Sequence, residues 1–152
     1  KLVQAAIGDK TSPVYYIDDL PGCDMSYVSQ CCSFDRDYVL ETLNHLRKNV
    51  PGSVTDDAED FLVMDDSIQC LSVEQLLQDN AVEQVDFLNI DVEGFDYLVF
   101  SQFNVAKYKP AIICVETITF SDKELASFKK VMSDNSYHLV GIFGLFSTII
   151  LI

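Results

Sequence analysis

Residues 85–94 read VDFLNIDVEG, and the fold turns on this stretch. An apolar and aromatic run gives way abruptly to Asp91-Val92-Glu93-Gly94, and a helix-like run follows from Phe95 to Phe103. A buried strand that ends in two carboxylates and a glycine, and then enters a helix, describes the C-terminal edge of a parallel sheet. In open α/β sheets that edge is where ligands bind.

The flanking sequence repeats the pattern. Lys109-Pro110 leads into a second apolar strand, AIICVE (111–116), and Ser121-Asp122-Lys123-Glu124 is a capping box that opens a helix to about Ser133. YHLVGI (137–142) and TIILI (148–152) read as two closing strands, antiparallel because only a short glycine-containing link separates them. Near-continuous apolar strands alternating with helices predict βαβ crossovers and a mostly parallel sheet. Upstream, Leu2–Ile7 and Pro13–Ile17 read as strands, and Asp18–Cys32 as loop. A helix is predicted from Asp35 to about Asn49, with Val39, Leu43 and Leu46 on one face and Pro51-Gly52 as its stop. Phe61–Cys70 is a weaker strand, interrupted by Asp65-Asp66. In the box Ser72-Val73-Glu74-Gln75, Ser72 is expected to accept the Gln75 amide while Gln75 reaches back.

The bulk composition narrows the function. With 152 residues and 49% hydrophobic content the chain has enough apolar surface for a real core. A net charge of −14, from 24 acids against 10 bases, repels phosphate backbones and anionic lipid, so neither nucleic acid nor a membrane is the expected partner. Five cysteines with no C-x-x-C spacing form neither a disulfide framework nor a zinc site, which fits a reducing cytoplasmic location. Cys70 and Cys114 lie in strand-like runs and read as core. The apolar C-terminal run is shorter than the ~18–20 residues of a membrane helix.

VDFLNIDVEGFDYLVF, followed closely by KYKPAIICVE, resembles the C-terminal half of the FkbM family of S-adenosylmethionine-dependent methyltransferases. AAIGDK and the later Cys70-Leu71-x-Val73-x-x-Leu76-Leu77 fit that family's order of segments. The resemblance implies a Rossmann-like methyltransferase α/β sheet of strand order 3-2-1-4-5-7-6, mostly parallel with an antiparallel C-terminal hairpin. The family's first βαβ portion, with its Gly-rich loop and the acid that closes its second strand, is not found here. The expectation is therefore a single, incomplete domain over 1–152, with an insert at about 18–60 serving as acceptor lid. Missing strands would come from an upstream segment, from another chain (a homo-oligomer through the open edge), or from strand 3 pairing onto strand 4.

Asp91, Glu93 and Glu116 are the candidate catalytic residues. Asp91 and Glu116 end adjacent strands and are expected side by side. Converging carboxylates can take a proton from a substrate hydroxyl or hold a divalent cation that acidifies it. The bland alternative is a helix N-cap at Asp91 or Glu93. Gly94 is read as a turn glycine or as a point of close cofactor approach. Asp9 is an ordinary turn aspartate unless, as the resemblance implies, it meets the adenine amino group. His45 and His138 read as a solvated helix residue and a structural strand residue. The expected function is O-methylation of a small hydroxylated acceptor, such as a sugar or a polyketide-like metabolite, with S-adenosylmethionine as cofactor. A non-catalytic α/β assembly or pseudo-enzyme module is the alternative, favoured by the absent Gly-rich loop.

Overall fold

The computed structural model describes residues 2–3, 5–8, 13–18, 28, 32–92, 94–143 and 147–151. They divide into two units, Lys1–Ala6 with Lys10–Cys70 and Ile7–Asp9 with Leu71–Ile152.

In the first unit β2 (Val14–Ile17) pairs antiparallel with β3 (Leu62–Asp65), Val14 opposite Asp65 and Ile17 opposite Leu62. Helix α1 (Arg36–Asn49) starts where the predicted helix does, because the Asp35 carboxylate accepts hydrogen bonds from the Asp37 and Tyr38 amides at 2.9 and 3.4 Å. Arg47 and Lys48 in its last turn suit the negative end of the helix dipole. Val39 and Leu43 are fully buried and form a core with Ile17, Val28, Val54 and Ala58, and Leu46 packs at its margin. The single strand expected over 61–70 is instead two short ones. Asp65 ends β3 by accepting from both the Ser67 amide (2.8 Å) and the Ser67 hydroxyl (2.6 Å), and this local turn competes with the ladder.

The strand expected over Leu2–Ile7 is shorter among the described residues. It comprises β1 (Ala6–Ile7), and Leu2 is exposed. β1 pairs with β4 (Cys70–Leu71). The bonds Ala6 N–H to Gln69 O and Gly8 N–H to Leu71 O advance along both strands in the same sense, as in a parallel pair. Among the described residues, strand 3 of the expected order therefore pairs with β4 and not onto strand 4.

The second unit carries a four-stranded sheet of β5 (Phe87–Ile90), β6 (Ile112–Glu116), β7 (His138–Phe143) and β8 (Ser147–Leu151), in the order β5-β6-β8-β7. β5 and β6 are parallel, with Ile90 opposite Val115, while β8 runs antiparallel to both β6 and β7. This order reproduces the 4-5-7-6 portion of the expected sheet. Three of its four strands, β5, β6 and β7, run in one direction, and β8 returns against them between β6 and β7, so that β7 and β8 form the expected antiparallel C-terminal hairpin. The outer edge of β5 pairs with no strand among the described residues.

The connecting helices are α2 (Val73–Asp79), α3 (Asp96–Gln102), α4 (Val105–Tyr108) and α5 (Asp122–Asp134). Ile90, Ile113, Val115 and Ile150 from the strands are buried with Val99, Phe100 and Phe103 of the α3 segment and Phe128 and Met132 of α5. Phe100 and Phe128 meet edge to face, with ring centroids 4.7 Å apart. Phe87 is 58% exposed and Ile112 36% exposed. Alternation along the strands sends these side chains to the face opposite Ile113 and Val115. Cys114, which shares their face, is half-buried rather than core, as is Cys70.

Both Ser caps form, but only one box closes. Ser121 and Glu124 make the reciprocal pair, Ser121 N–H to Glu124 at 2.8 Å and Glu124 N–H to Ser121 at 3.4 Å. Ser72 accepts from the Gln75 amide at 3.1 Å, but the Gln75 side chain turns forward to Asp79 at 2.6 Å instead of back. A carboxylate one helical turn ahead outcompetes a backbone amide as partner for this side-chain amide.

Ile113 is fully buried at the centre of the second core. Ile113→Ala should lower the stability of the chain by about 2–5 kcal/mol in urea denaturation; an unchanged midpoint would place the core elsewhere. Hydrogen bonds from the Ser121 side chain and then its backbone hold the Glu124 carboxyl below the usual glutamate range. The folded value is depressed, so this contribution is present above the unfolded value and is lost as pH falls through the folded one. Ser121→Ala should therefore flatten the acid limb of the thermal-stability profile, and an unaltered profile would contradict the capping-box assignment.

Candidate functional site

The parallel register sets the geometry of the site. Ile90 lies opposite Val115, so Asp91 and Glu116 leave the C-terminal edge of the sheet as neighbours. Strand alternation puts both on the face that carries Phe87 and Asn89 on β5 and Ile112 and Cys114 on β6. Asp91 is exposed and Glu116 half-buried. The side-by-side placement expected of these two residues is what the structure has.

A third carboxylate joins them. Asp96, the first residue of α3, is fully buried. Its two oxygens accept hydrogen bonds from the Val92 amide at 3.0 Å and the Gly94 amide at 3.2 Å. Each of Asp91, Asp96 and Glu116 offers an oxygen, and these atoms all lie within 4.8 Å of one another. The sequence reading passed over Asp96 because it sits inside the run taken as apolar helix. The available signal was an acid two places after Gly94, at the start of a helix, where a carboxylate can fold back onto the amides of the preceding turn.

The turn explains the glycine. Gly94 has φ +95°, in the region closed to most L-residues, and this conformation lets its amide face Asp96. Asp91 does not cap α3. The N-cap position belongs to Phe95, which makes no side-chain capping bond, and Asp96 satisfies the turn from within the helix. Glu93 and Asp9 lie outside the described residues. His45 is exposed on α1, and His138 is exposed at the start of β7.

Cys114 reports on the electrostatics of this edge. Burial, and second the negative charge of Asp91, push its thiol above the ordinary cysteine value. It stays protonated and is a poor nucleophile.

Chemically, three converging oxygens can accept protons or hydrogen bonds from hydroxyl groups, or surround a divalent cation. Opposite oxygens are ~4.2 Å apart across Mg²⁺ and ~4.6–5.2 Å apart across Ca²⁺. A spread of up to 4.8 Å thus suits the larger ion as it stands and the smaller after contraction. The arrangement does not fit the carboxylate of an amino-acid cofactor. That group needs donors, and the two turn amides are already committed to Asp96.

Comparison with curated proteins and with solved structures gives no match. The family model for the methyltransferase FkbM domain matches residues 2–138, nearly the whole chain. The chain belongs to the FkbM methyltransferase family.

Proposed function

We propose that this chain supplies the acceptor side of an S-adenosylmethionine-dependent O-methyltransferase acting on a small hydroxylated molecule, such as a sugar or a polyketide-like metabolite. The observation that carries this reading is the convergence of Asp91, Asp96 and Glu116 at the end of the parallel pair β5–β6, in a member of a methyltransferase family. Methylation of a hydroxyl oxygen releases its proton, and in-line transfer requires the oxygen to be held still. Asp91, exposed at the edge, takes that proton. Glu116, one strand away, accepts a hydrogen bond from a neighbouring hydroxyl and so orients the acceptor. Asp96 is a positioning residue, acting through the turn that carries Asp91. Glu93 belongs to the same proposal by its place in the motif.

The cofactor supplies a methyl group made electrophilic by a sulfonium, and nothing in the 91–96 turn is assigned to grip it. Asp9 as an adenine contact rests on the family resemblance alone. The non-catalytic module remains the competing reading, favoured by an outer edge of β5 that pairs with no strand among the described residues.

In the full-length polypeptide, Asp91→Asn should lower kcat/KM about 100-fold or more with the fold intact by circular dichroism. Glu116→Gln should act mainly on KM for the acceptor. Unchanged kinetics in both would overturn the assignment. Turnover that survives EDTA gives the proton to Asp91 directly, whereas loss restored by a divalent cation places a metal among the same three carboxylates. Calorimetric titration of S-adenosylmethionine into these 152 residues alone should give no saturable micromolar binding; such binding would show that the cofactor grip lies within them. Asp96→Ala strands two amides in the turn and should destabilise the chain by about 2–4 kcal/mol in urea denaturation, and wild-type stability in that variant would contradict the positioning role.

A further inference from the structure

The second unit has a groove of about 420 Å³ between α5 and the β7 edge. Its floor is Phe128, Met132, Tyr137 and Ile150, all 5% exposed or less. One wall is Leu139 and Ile142, which are 59% and 66% exposed. The floor is apolar, because the one hydroxyl in it, that of Tyr137, donates to the Pro110 carbonyl at 2.7 Å. This volume falls in the range of small-molecule sites. Apolar side chains left open around one cavity, rather than scattered singly, mark a surface meant to be covered.

Charge indicates what covers it. Lys129 stands among the lining residues and, among the described residues, no carboxylate does, in a chain with 24 acids against 10 bases. A lysine at the mouth of an apolar slot, set in a strongly acidic surface, complements a molecule with an anionic head and a hydrocarbon tail. A second copy of the chain is a poorer fit. The register shift between Leu139 and Gly141 disturbs β7 as an edge for pairing, and two chains of net charge −14 repel each other.

We propose that this groove binds a medium-chain fatty acid, its tail lying over Phe128, Met132 and Ile150 and its carboxylate meeting Lys129. The site is separate from the Asp91 cluster and does not depend on the methyl-transfer reading.

The sequence has three methionines, so methyl-labelled methionine gives a sparse NMR spectrum in which Met132 is assigned by a Met132→Leu variant. Decanoate, added below its micelle-forming concentration, should shift the Met132 methyl saturably and leave Met64 unmoved. Lys129→Glu should weaken binding about fivefold or more, and Leu139→Asp should abolish it; both positions are exposed, so neither change should disturb folding. The proposal is overturned by an unmoved Met132 methyl, or by decanol binding as tightly as decanoate. It is overturned equally if the Met132 signal depends on protein concentration without decanoate and sedimentation shows a dimer, since a second copy would then occupy the groove.

Discussion

A buried carboxylate bonded to two backbone amides holds the end of β5 in place. Asp96 is fully buried, and a charge in that position is tolerable only when its oxygens are satisfied. The Val92 and Gly94 amides provide this, and in doing so they close the turn between β5 and α3. The turn needs the positive φ of Gly94, and the helix that follows carries Val99 and Phe100 into the core beneath the sheet. One short acidic segment thereby sets both where Asp91 stands relative to Glu116 and how α3 packs. Loosening the turn would disturb the site and the core together.

The sheet itself explains why the site lies at one end. Parallel strands in register finish at the same level, so acids placed just after β5 and at the end of β6 must converge. An antiparallel partner such as β8 cannot do this, since its chain end lies at the opposite edge. β8 contributes instead to the core, through Ile150 opposite Ile113. The division of labour follows from strand direction: the parallel pair builds the edge, and the hairpin completes the buried layer.

Much of this was legible in the sequence, and the failures share a physical cause. The helix from Asp35, the box at Ser121, the closing hairpin and the adjacency of Asp91 and Glu116 all rest on local signals or on strand order, and these survived. What did not survive depended on competition between partners. The strand over 61–70 broke because Ser67 offers Asp65 two short bonds, and Gln75 turned away from its box because its side-chain N–H donates to the Asp79 carboxylate one turn ahead. An apolar strand does not say which layers are present to cover it, and among the described residues Phe87 and Ile112 remain open. Asp96 was missed because composition places it in an apolar helix, whereas its role comes from a backward reach across two residues.

The charge balance along this edge separates the roles of its groups. Asp96 has one oxygen on each turn amide and no exposure, so it is poorly placed to collect a proton from a substrate. Cys114, two places before Glu116 on the same face of β6, would be the obvious nucleophile if the site worked covalently. Burial and the nearby negative charge of Asp91 oppose formation of its thiolate, so the same feature that makes the edge suitable for accepting protons disables the thiol beside it. His45 and His138 stand on other elements, α1 and β7, outside the carboxylate cluster. The three carboxylates of this edge can accept protons and hydrogen bonds or surround a divalent cation, and the proposed roles of Asp91 and Glu116 draw on that chemistry.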